Sequence, residues 1–168
     1  HVYSISSAKD ELPKQFWGVD SLFERCPNLL MLSTYGAGYD VCDLEAATRA
    51  GVAVVNQAGG NKEGVAEHDL AMMLTVAKRI IEADRAIRRG GIKERDVFKG
   101  IELKDKTVGI IGLGHVGSRL ADLCTGLFNC RIIAYDPLLS AEEITAKGAQ
   151  KFESLHEMVA EADFVSLN

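Results

Sequence analysis

Apolar runs of four or five residues alternate along this chain with longer segments in which apolar residues recur at helical spacing. The short runs are rich in valine, isoleucine and leucine and are bounded by turn residues, so each predicts a strand. The strands are expected at 2–5, 29–32, 52–55, 107–111, 132–135, 149–152 and 164–167, and the helices at 20–26, 43–50, 65–89, 116–128, 140–148 and 154–160. This alternation predicts an α/β fold with parallel sheets.

Two of the predicted helices carry clear end signals. Asp43 is placed to cap a helix that Gly51 then ends, because glycine adopts the left-handed conformation that closes many helices. Ser140 and Glu143 have the spacing of a capping box, in which each side chain accepts a hydrogen bond from the other residue's backbone. The sequence therefore predicts where both helices begin.

A polar, glycine-rich segment at 56–64 has the composition of a domain boundary. It divides the chain into a first domain at 1–61 and a second domain at 62–168. The second domain opens with apolar residues at helical spacing over 65–89, which predicts one long amphipathic helix linking the two.

Gly112, Gly114 and Gly117 follow the predicted strand at 107–111 and open the next helix. In a dinucleotide-binding unit the first glycine permits a tight turn, the second lets the backbone approach a pyrophosphate, and the third lets helix and strand pack closely. Asp136 ends the following strand, close to the ~20 residues downstream at which a carboxylate meets the adenosine ribose. Because an acid there repels a 2′-phosphate, NAD is expected rather than NADP.

A second glycine turn lies at 33–40, between a predicted strand and helix. The backbone amides of Gly36, Ala37 and Gly38 could hold a small anion such as a carboxylate, since this turn lies beyond the carboxyl end of a strand. The alternative is a tight connection that needs glycine only for its left-handed conformation. The local sequence leaves both interpretations open.

Composition narrows the class of protein. Of the 168 residues, 47% are hydrophobic and 26% charged, which is typical of a globular protein, and the net charge of −5 argues against a nucleic-acid partner. The four cysteines lack metal-ligand spacing, so no metal site is expected and the thiols are expected to be reduced. No apolar run approaches the ~20 residues that span a bilayer, so no membrane partner is expected and the cytoplasm is the expected location.

Several further motifs occur in a family-specific order. They are Ser33–Asp40, Asp43–Thr48, Gly51–Asn56, Asn61 with Val65–His68, Thr107–Gly117, Tyr135–Pro137 and Ala162–Leu167. On these motifs the chain resembles the D-isomer-specific 2-hydroxyacid dehydrogenases, the family that includes D-3-phosphoglycerate dehydrogenases. The resemblance implies part of a flavodoxin-like substrate domain, followed by the first half of a Rossmann-type doubly wound parallel sheet. A truncated or partial chain is therefore expected.

The resemblance also implies roles for individual residues. Substrate carboxylate would be bound around Tyr35, Gly36, Ala37 and Gly38. The cofactor would be bound by Gln57 on the nicotinamide side, by His115 and Val116 on the pyrophosphate together with Gly112, Gly114 and Gly117, and by Asp136 on the ribose. The helix after Val65 would pack at a homodimer interface. The family's catalytic arginine, glutamate and histidine would all follow Asn168, so no residue here is expected to be catalytic.

The activity implied is hydride transfer between nicotinamide and C2 of a D-2-hydroxy acid or the corresponding keto acid. The alternative is a corepressor-like protein that senses NAD on the same fold and recruits partners. A third interpretation, in which the glycine turn binds S-adenosylmethionine, requires the same glycine loop and the same ribose-binding acid. The sequence before Asn168 leaves the identity of the hydroxy acid open.

Overall fold

The structure, a computed structural model, describes residues 1–91 and 94–168. The chain divides into two compact units, His1–Asn61 and Lys62–Asn168. The strands are β1 (Val2–Ile5), β2 (Met31–Thr34), β3 (Ala53–Val55), β4 (Thr107–Ile111), β5 (Arg131–Tyr135), β6 (Gln150–Lys151) and β7 (Phe164–Leu167). The helices are α1 (Asp20–Arg25), α2 (Leu44–Ala50), α3 (Lys62–Ala77), α4 (Ile80–Arg88), α5 (His115–Phe128), α6 (Ala141–Ala146) and α7 (Leu155–Glu161).

The first unit is built on a parallel sheet with strand order β1-β2-β3. Its core is apolar and comes from the strands and from α1 and α2, with Leu32 of β2 fully buried at the centre. Asp43 caps α2 by accepting a hydrogen bond from the Ala46 N–H at 2.9 Å, and Gly51 ends the helix with φ of 69°. Both predicted end signals of this helix are therefore confirmed.

The second unit contains a parallel sheet with strand order β6-β5-β4-β7. The chain builds outward from β4 to β5 and β6, then returns to place β7 on the other side of β4. In open α/β sheets such a reversal opens a crevice at the carboxyl ends of the two central strands, where ligands bind. The α/β class and the Rossmann-type half-sheet expected from the sequence are confirmed.

The core of this second unit lies between the sheet and helices α3 and α5. Ile110 of β4 and Leu120 of α5 are fully buried, as is Leu113 in the turn that joins them. These three side chains hold β4, the turn and α5 in the core.

Ser140 and Glu143 form both hydrogen bonds of the predicted capping box at the start of α6.

The single helix expected over 65–89 is wrong, because the structure has two helices there. The break falls at Arg79, whose φ of 52° is left-handed. The Ala77 carbonyl, which would continue the helix, instead accepts a hydrogen bond from the Ile101 N–H at 2.8 Å. This approach needs Gly100, since a Cβ there would lie 2.1 Å from the Ala77 oxygen. A segment about 20 residues later therefore ends α3, which local periodicity cannot reveal.

The strand expected at 149–152 is shorter than predicted and comprises only Gln150 and Lys151. Within residues 1–91 and 94–168, no helix is both long and apolar enough to cross a bilayer.

Candidate functional site

The turn between β4 and α5 consists of only three residues. Steric crowding requires glycine within it, at Gly112, and in the helix that follows, at Gly117. Gly112 has φ of 85°, and a Cβ on it would lie 2.6 Å from the carbonyl oxygen of Asn168, the residue that follows β7. A Cβ on Gly117 would lie 2.2 Å from the Gly112 oxygen. Side chains at these positions would displace backbone, so glycine is required at both.

Gly114 differs from the other two glycines because the space in front of it is open. It is the N-cap of α5, no side chain caps that helix, and a Cβ built on it meets nothing within 4 Å. His115 and Val116 are the first two residues of the helix, so their backbone amides lie among the N–H groups that lack an intrahelical partner. A 14-residue helix with a free, uncapped start fits the pyrophosphate of a dinucleotide.

Asp136 lies directly beside this turn, immediately after β5. Its side chain is nearly buried, with 8% of the residue exposed. Oδ2 accepts a hydrogen bond from the Leu113 N–H and Oδ1 accepts one from the Leu138 N–H, each at 2.9 Å. The sequence spacing predicted that this carboxylate and the glycine turn are neighbours. It gave no sign that the carboxylate binds the turn itself.

The sequence analysis did not identify Ser118 and Lys147, two residues that form hydrogen bonds around the turn. The Ser118 hydroxyl donates to the Leu113 carbonyl at 3.0 Å, and the Lys147 ammonium donates to that hydroxyl at 3.0 Å. Ser118 directly follows the glycine motif and could have been singled out on that ground. Lys147 lies at the end of α6, and nothing in the pattern connects it with the turn.

The glycine turn of the first unit packs over Thr34, which is fully buried at the end of β2. Its hydroxyl lies 3.2 Å from the Gly36 carbonyl oxygen and 2.9 Å from that of Gly38. Asn56 donates from Nδ2 to the Ala37 carbonyl at 2.8 Å. The single hydroxyl proton of Thr34 can donate to only one of the Gly36 and Gly38 carbonyls at a time. Within the two described ranges, no acceptor is found for the amides of Gly36, Ala37 and Gly38. Those amides are free to bind an anion.

The left-handed interpretation of this turn is not what the structure shows. Gly36 and Gly38 are absent from the residues with positive φ in the described ranges. Gly36 is instead closely packed, because a Cβ on it would lie against the Ser7 hydroxyl, and the Ser7 side chain would have to move. Tyr35 is more than half exposed, and Tyr39 lines an open groove of about 420 Å³ with Leu44 and Asn56.

Gln57 belongs to the first unit, where it follows β3. Its backbone N–H donates to the Gly36 carbonyl at 3.0 Å, which ties the segment after β3 to the glycine turn after β2. The structure therefore brings Gln57 together with Gly36, and separately brings Asp136 together with Gly112, Gly114 and Gly117.

The two buried cysteines provide no reactive site. All four are free thiols, and Cys124 and Cys130 are buried in the second unit. Burial raises the pKa of the Cys124 thiol to about 12, with the neighbouring Cys130 adding to the shift, and burial also raises the pKa of Cys130. Both groups are therefore protonated and inert near neutral pH. Across the described residues, no three His, Cys, Asp or Glu side chains are grouped so that they could hold a metal ion.

Fold and turn together define a dinucleotide-binding domain of the Rossmann type. Residues 70–168 match the family model described as D-isomer specific 2-hydroxyacid dehydrogenase, NAD binding domain. The chain belongs to this family, and the assignment of NAD as the cofactor is confirmed.

Named relatives agree with this assignment. The chain is 39% identical over 147 residues to D-3-phosphoglycerate dehydrogenase from Archaeoglobus fulgidus, covering 88% of this chain and 27% of the relative. It is 37% identical over 153 residues to glyoxylate reductase from Thermococcus litoralis, covering 88% of this chain and 46% of the relative. Among solved structures, D-lactate dehydrogenase from Aquifex aeolicus complexed with NAD and lactic acid superposes with a TM-score of 0.82 at 29% identity, covering 99% of this chain and 47% of that one. The chain thus spans half or less of the length of these relatives.

Proposed function

We propose that this chain is part of an NAD-dependent oxidoreductase that transfers a hydride between nicotinamide and C2 of a D-2-hydroxy acid. The observation that carries the proposal is the uncapped start of α5 at Gly114 with the Asp136 carboxylate beside it, in a chain of the 2-hydroxyacid dehydrogenase family. Hydride chemistry belongs to the cofactor, so the protein's contribution is to bind and orient it.

In the proposed complex the pyrophosphate lies against Gly114 and the amides of His115 and Val116. Asp136 accepts hydrogen bonds from the adenosine ribose hydroxyls. A carboxylate has about four lone-pair sites, and the two backbone bonds of Asp136 leave capacity for the ribose. Gln57 is proposed on the nicotinamide side from the family resemblance alone. The unit 62–168 is then the cofactor domain, and 1–61 is part of the substrate domain.

The substrate carboxylate is proposed to bind at the glycine turn of the first unit. The support is the set of free amides at Gly36, Ala37 and Gly38, whose carbonyls are turned toward Thr34 and Asn56. Tyr35 and Tyr39 flank the turn with exposed side chains that would border the rest of the substrate.

A homodimer formed through the second unit is also proposed. Its support is a set of exposed apolar side chains on α3 and α4, including Val76, Ile80 and Ile87. Sedimentation velocity would contradict the dimer if the protein remained a monomer across its soluble concentration range.

The cytoplasm remains the proposed location, consistent with the four free thiols.

The first test is a titration with NADH. We expect saturable binding of one NADH per chain, weaker binding of NADPH because Asp136 repels its 2′-phosphate, and no binding of S-adenosylmethionine. Asp136→Ala is expected to lower NADH affinity, whereas Asp122→Ala, at an exposed position on α5, serves as the control. We also expect no turnover from these 168 residues.

Absence of NADH binding to the folded protein would refute the proposed function. The corepressor-like alternative also requires NADH binding, so turnover of hydroxy acids by the full-length protein separates the two.

The second test addresses the carboxylate turn with oxalate, a small dianion that resembles a substrate carboxylate. We expect oxalate to shift the backbone amide NMR signals of Gly36, Ala37 and Gly38. Thr34→Val, which removes the hydroxyl that lies against the Gly36 and Gly38 carbonyls, is expected to weaken the response. Shifts elsewhere but not at these amides would show that the turn is only a structural connection.

A further inference from the structure

Leu113 is the central residue of the nucleotide turn, and both of its backbone groups are engaged by side chains from other elements. Its N–H donates to Asp136 Oδ2, and its carbonyl accepts from Ser118 Oγ, which in turn accepts from Lys147 Nζ. Its own side chain is fully buried in the core of the second unit. The turn is therefore fixed at three points before any ligand is considered.

Asp136 makes one of these attachments through its side-chain carboxylate. Its two oxygens bind the Leu113 and Leu138 amides, so one carboxylate joins the turn after β4 to the turn after β5. Hydrogen bonds from neutral amides to an ionised acceptor are stronger than those between neutral groups, and their strength increases in a site shielded from water. With 8% of the residue exposed, Asp136 is in such a site.

We propose that Asp136 is a positioning residue, which holds the nucleotide turn in its binding conformation before the cofactor arrives. This positioning role is separate from the ribose contact that the proposed function assigns to Asp136. The identity of the ligand rests on that proposed function. A preset turn lowers the ordering cost of binding, so Asp136 contributes to NADH affinity through Leu113 as well as through the ribose.

Asp136 also affects which cofactor can bind. Removal of the acid at this position would admit a 2′-phosphate, but it would also release the Leu113 and Leu138 amides. Even the isosteric Asp136→Asn would release one of these two amides, because its side-chain oxygen can accept from one backbone N–H while its NH₂ group faces the other. Single substitutions of Asp136 are therefore expected to loosen the turn and weaken binding of both NADH and NADPH.

Hydrogen exchange of the NADH-free protein tests the proposal. In Asp136→Asn and Asp136→Ala, we expect the Leu113 and Leu138 amides to exchange at least about tenfold faster, while protection within β4 and the centre of α5 is retained. Asp122→Asn, on the exposed face of α5, is the matched control and is expected to leave both amides unchanged. Unchanged protection at Leu113 in both Asp136 variants would overturn the proposal.

Wild-type protein provides a second measurement that does not depend on a variant folding. A preset turn predicts that the Leu113 amide is already protected without NADH and gains little protection when NADH is added. A large gain on binding would show instead that the cofactor orders the turn, and would overturn the proposal. If the wild-type protein fails to bind NADH at all, the proposed function fails, whereas the comparison of exchange in the NADH-free variants still decides the role of Asp136.

Discussion

Gly117→Val is expected to destabilise the second unit by about 3 kcal/mol or more, because overpacking here meets backbone instead of a movable side chain. A Cβ at this position would lie 2.2 Å from the Gly112 oxygen and 3.0 Å from the Ile110 side chain. The Gly112 backbone cannot move away from an added side chain. Its N–H donates to the Tyr135 carbonyl at 3.0 Å, and its Cα faces the Asn168 backbone. Urea unfolding followed by far-ultraviolet circular dichroism measures the loss.

Gly126→Ala is the matched control for this substitution, since Gly126 lies on the same helix with nothing within 4 Å of an added Cβ. Alanine favours a helix over glycine by roughly 0.8–1 kcal/mol, so this variant is expected to be as stable as wild type or slightly more so. Equal unfolding midpoints for wild type and Gly117→Val would contradict the close approach of α5 to the turn.

The parts of the fold that the sequence predicted are those set by interactions between near neighbours in the chain. Asp43 caps α2 through an amide three residues away, and the capping box of Ser140 and Glu143 spans the same distance. Gly117 belongs to this group, because a Cβ on it would meet Gly112 and Ile110 of the same strand–turn–helix unit, whereas a Cβ on Gly112 would meet Asn168, far along the chain. Local spacing is informative wherever the partner is local.

The features that the sequence did not predict depend on partners far away in the chain. The break after α3 is imposed by Gly100 and Ile101, although helical periodicity continues through it. Lys147 reaches Ser118 across 29 residues, and no motif relates the two. Gly36 packs closely against Ser7, and its own dihedral angles do not call for glycine. In each case the residue type was visible but its partner was not.

The second glycine turn shows why a motif alone leaves function open. Its sequence allowed either a left-handed connection or an anion site. The φ values of Gly36 and Gly38 exclude the left-handed connection, but they do not by themselves establish the anion site. What favours the anion site is the orientation of the peptide groups. A trans peptide points its carbonyl and its N–H in opposite directions, so the amides of Ala37 and Gly38 face away from the side-chain donors Thr34 and Asn56, which lie against the Gly36 and Ala37 carbonyls. Those donors come from the ends of two different strands, beyond the reach of a local pattern.

Gly114→Asp is expected to change stability and cofactor affinity in opposite directions. Aspartate is among the best N-cap residues, and Gly114 is the N-cap of a helix that lacks a side-chain cap. An added Cβ has open space there, so the carboxylate can accept hydrogen bonds from the first amides of α5 and stabilise the protein by a few tenths of a kcal/mol. The same carboxylate would occupy the pyrophosphate site and repel its charge. We therefore expect NADH affinity to fall by about 100-fold or more, which corresponds to roughly 2.7 kcal/mol.

Gly114→Ala separates the two effects, because it adds a Cβ without a charge or a cap. Its NADH affinity is expected to lie between those of wild type and Gly114→Asp, and its stability slightly below that of wild type, since alanine is a poor N-cap. Thermal unfolding and NADH titration on the same three proteins measure both quantities. If Gly114→Asp bound NADH as wild type does, the start of α5 could not be the pyrophosphate site, because the substituted carboxylate and the phosphates would require the same amides.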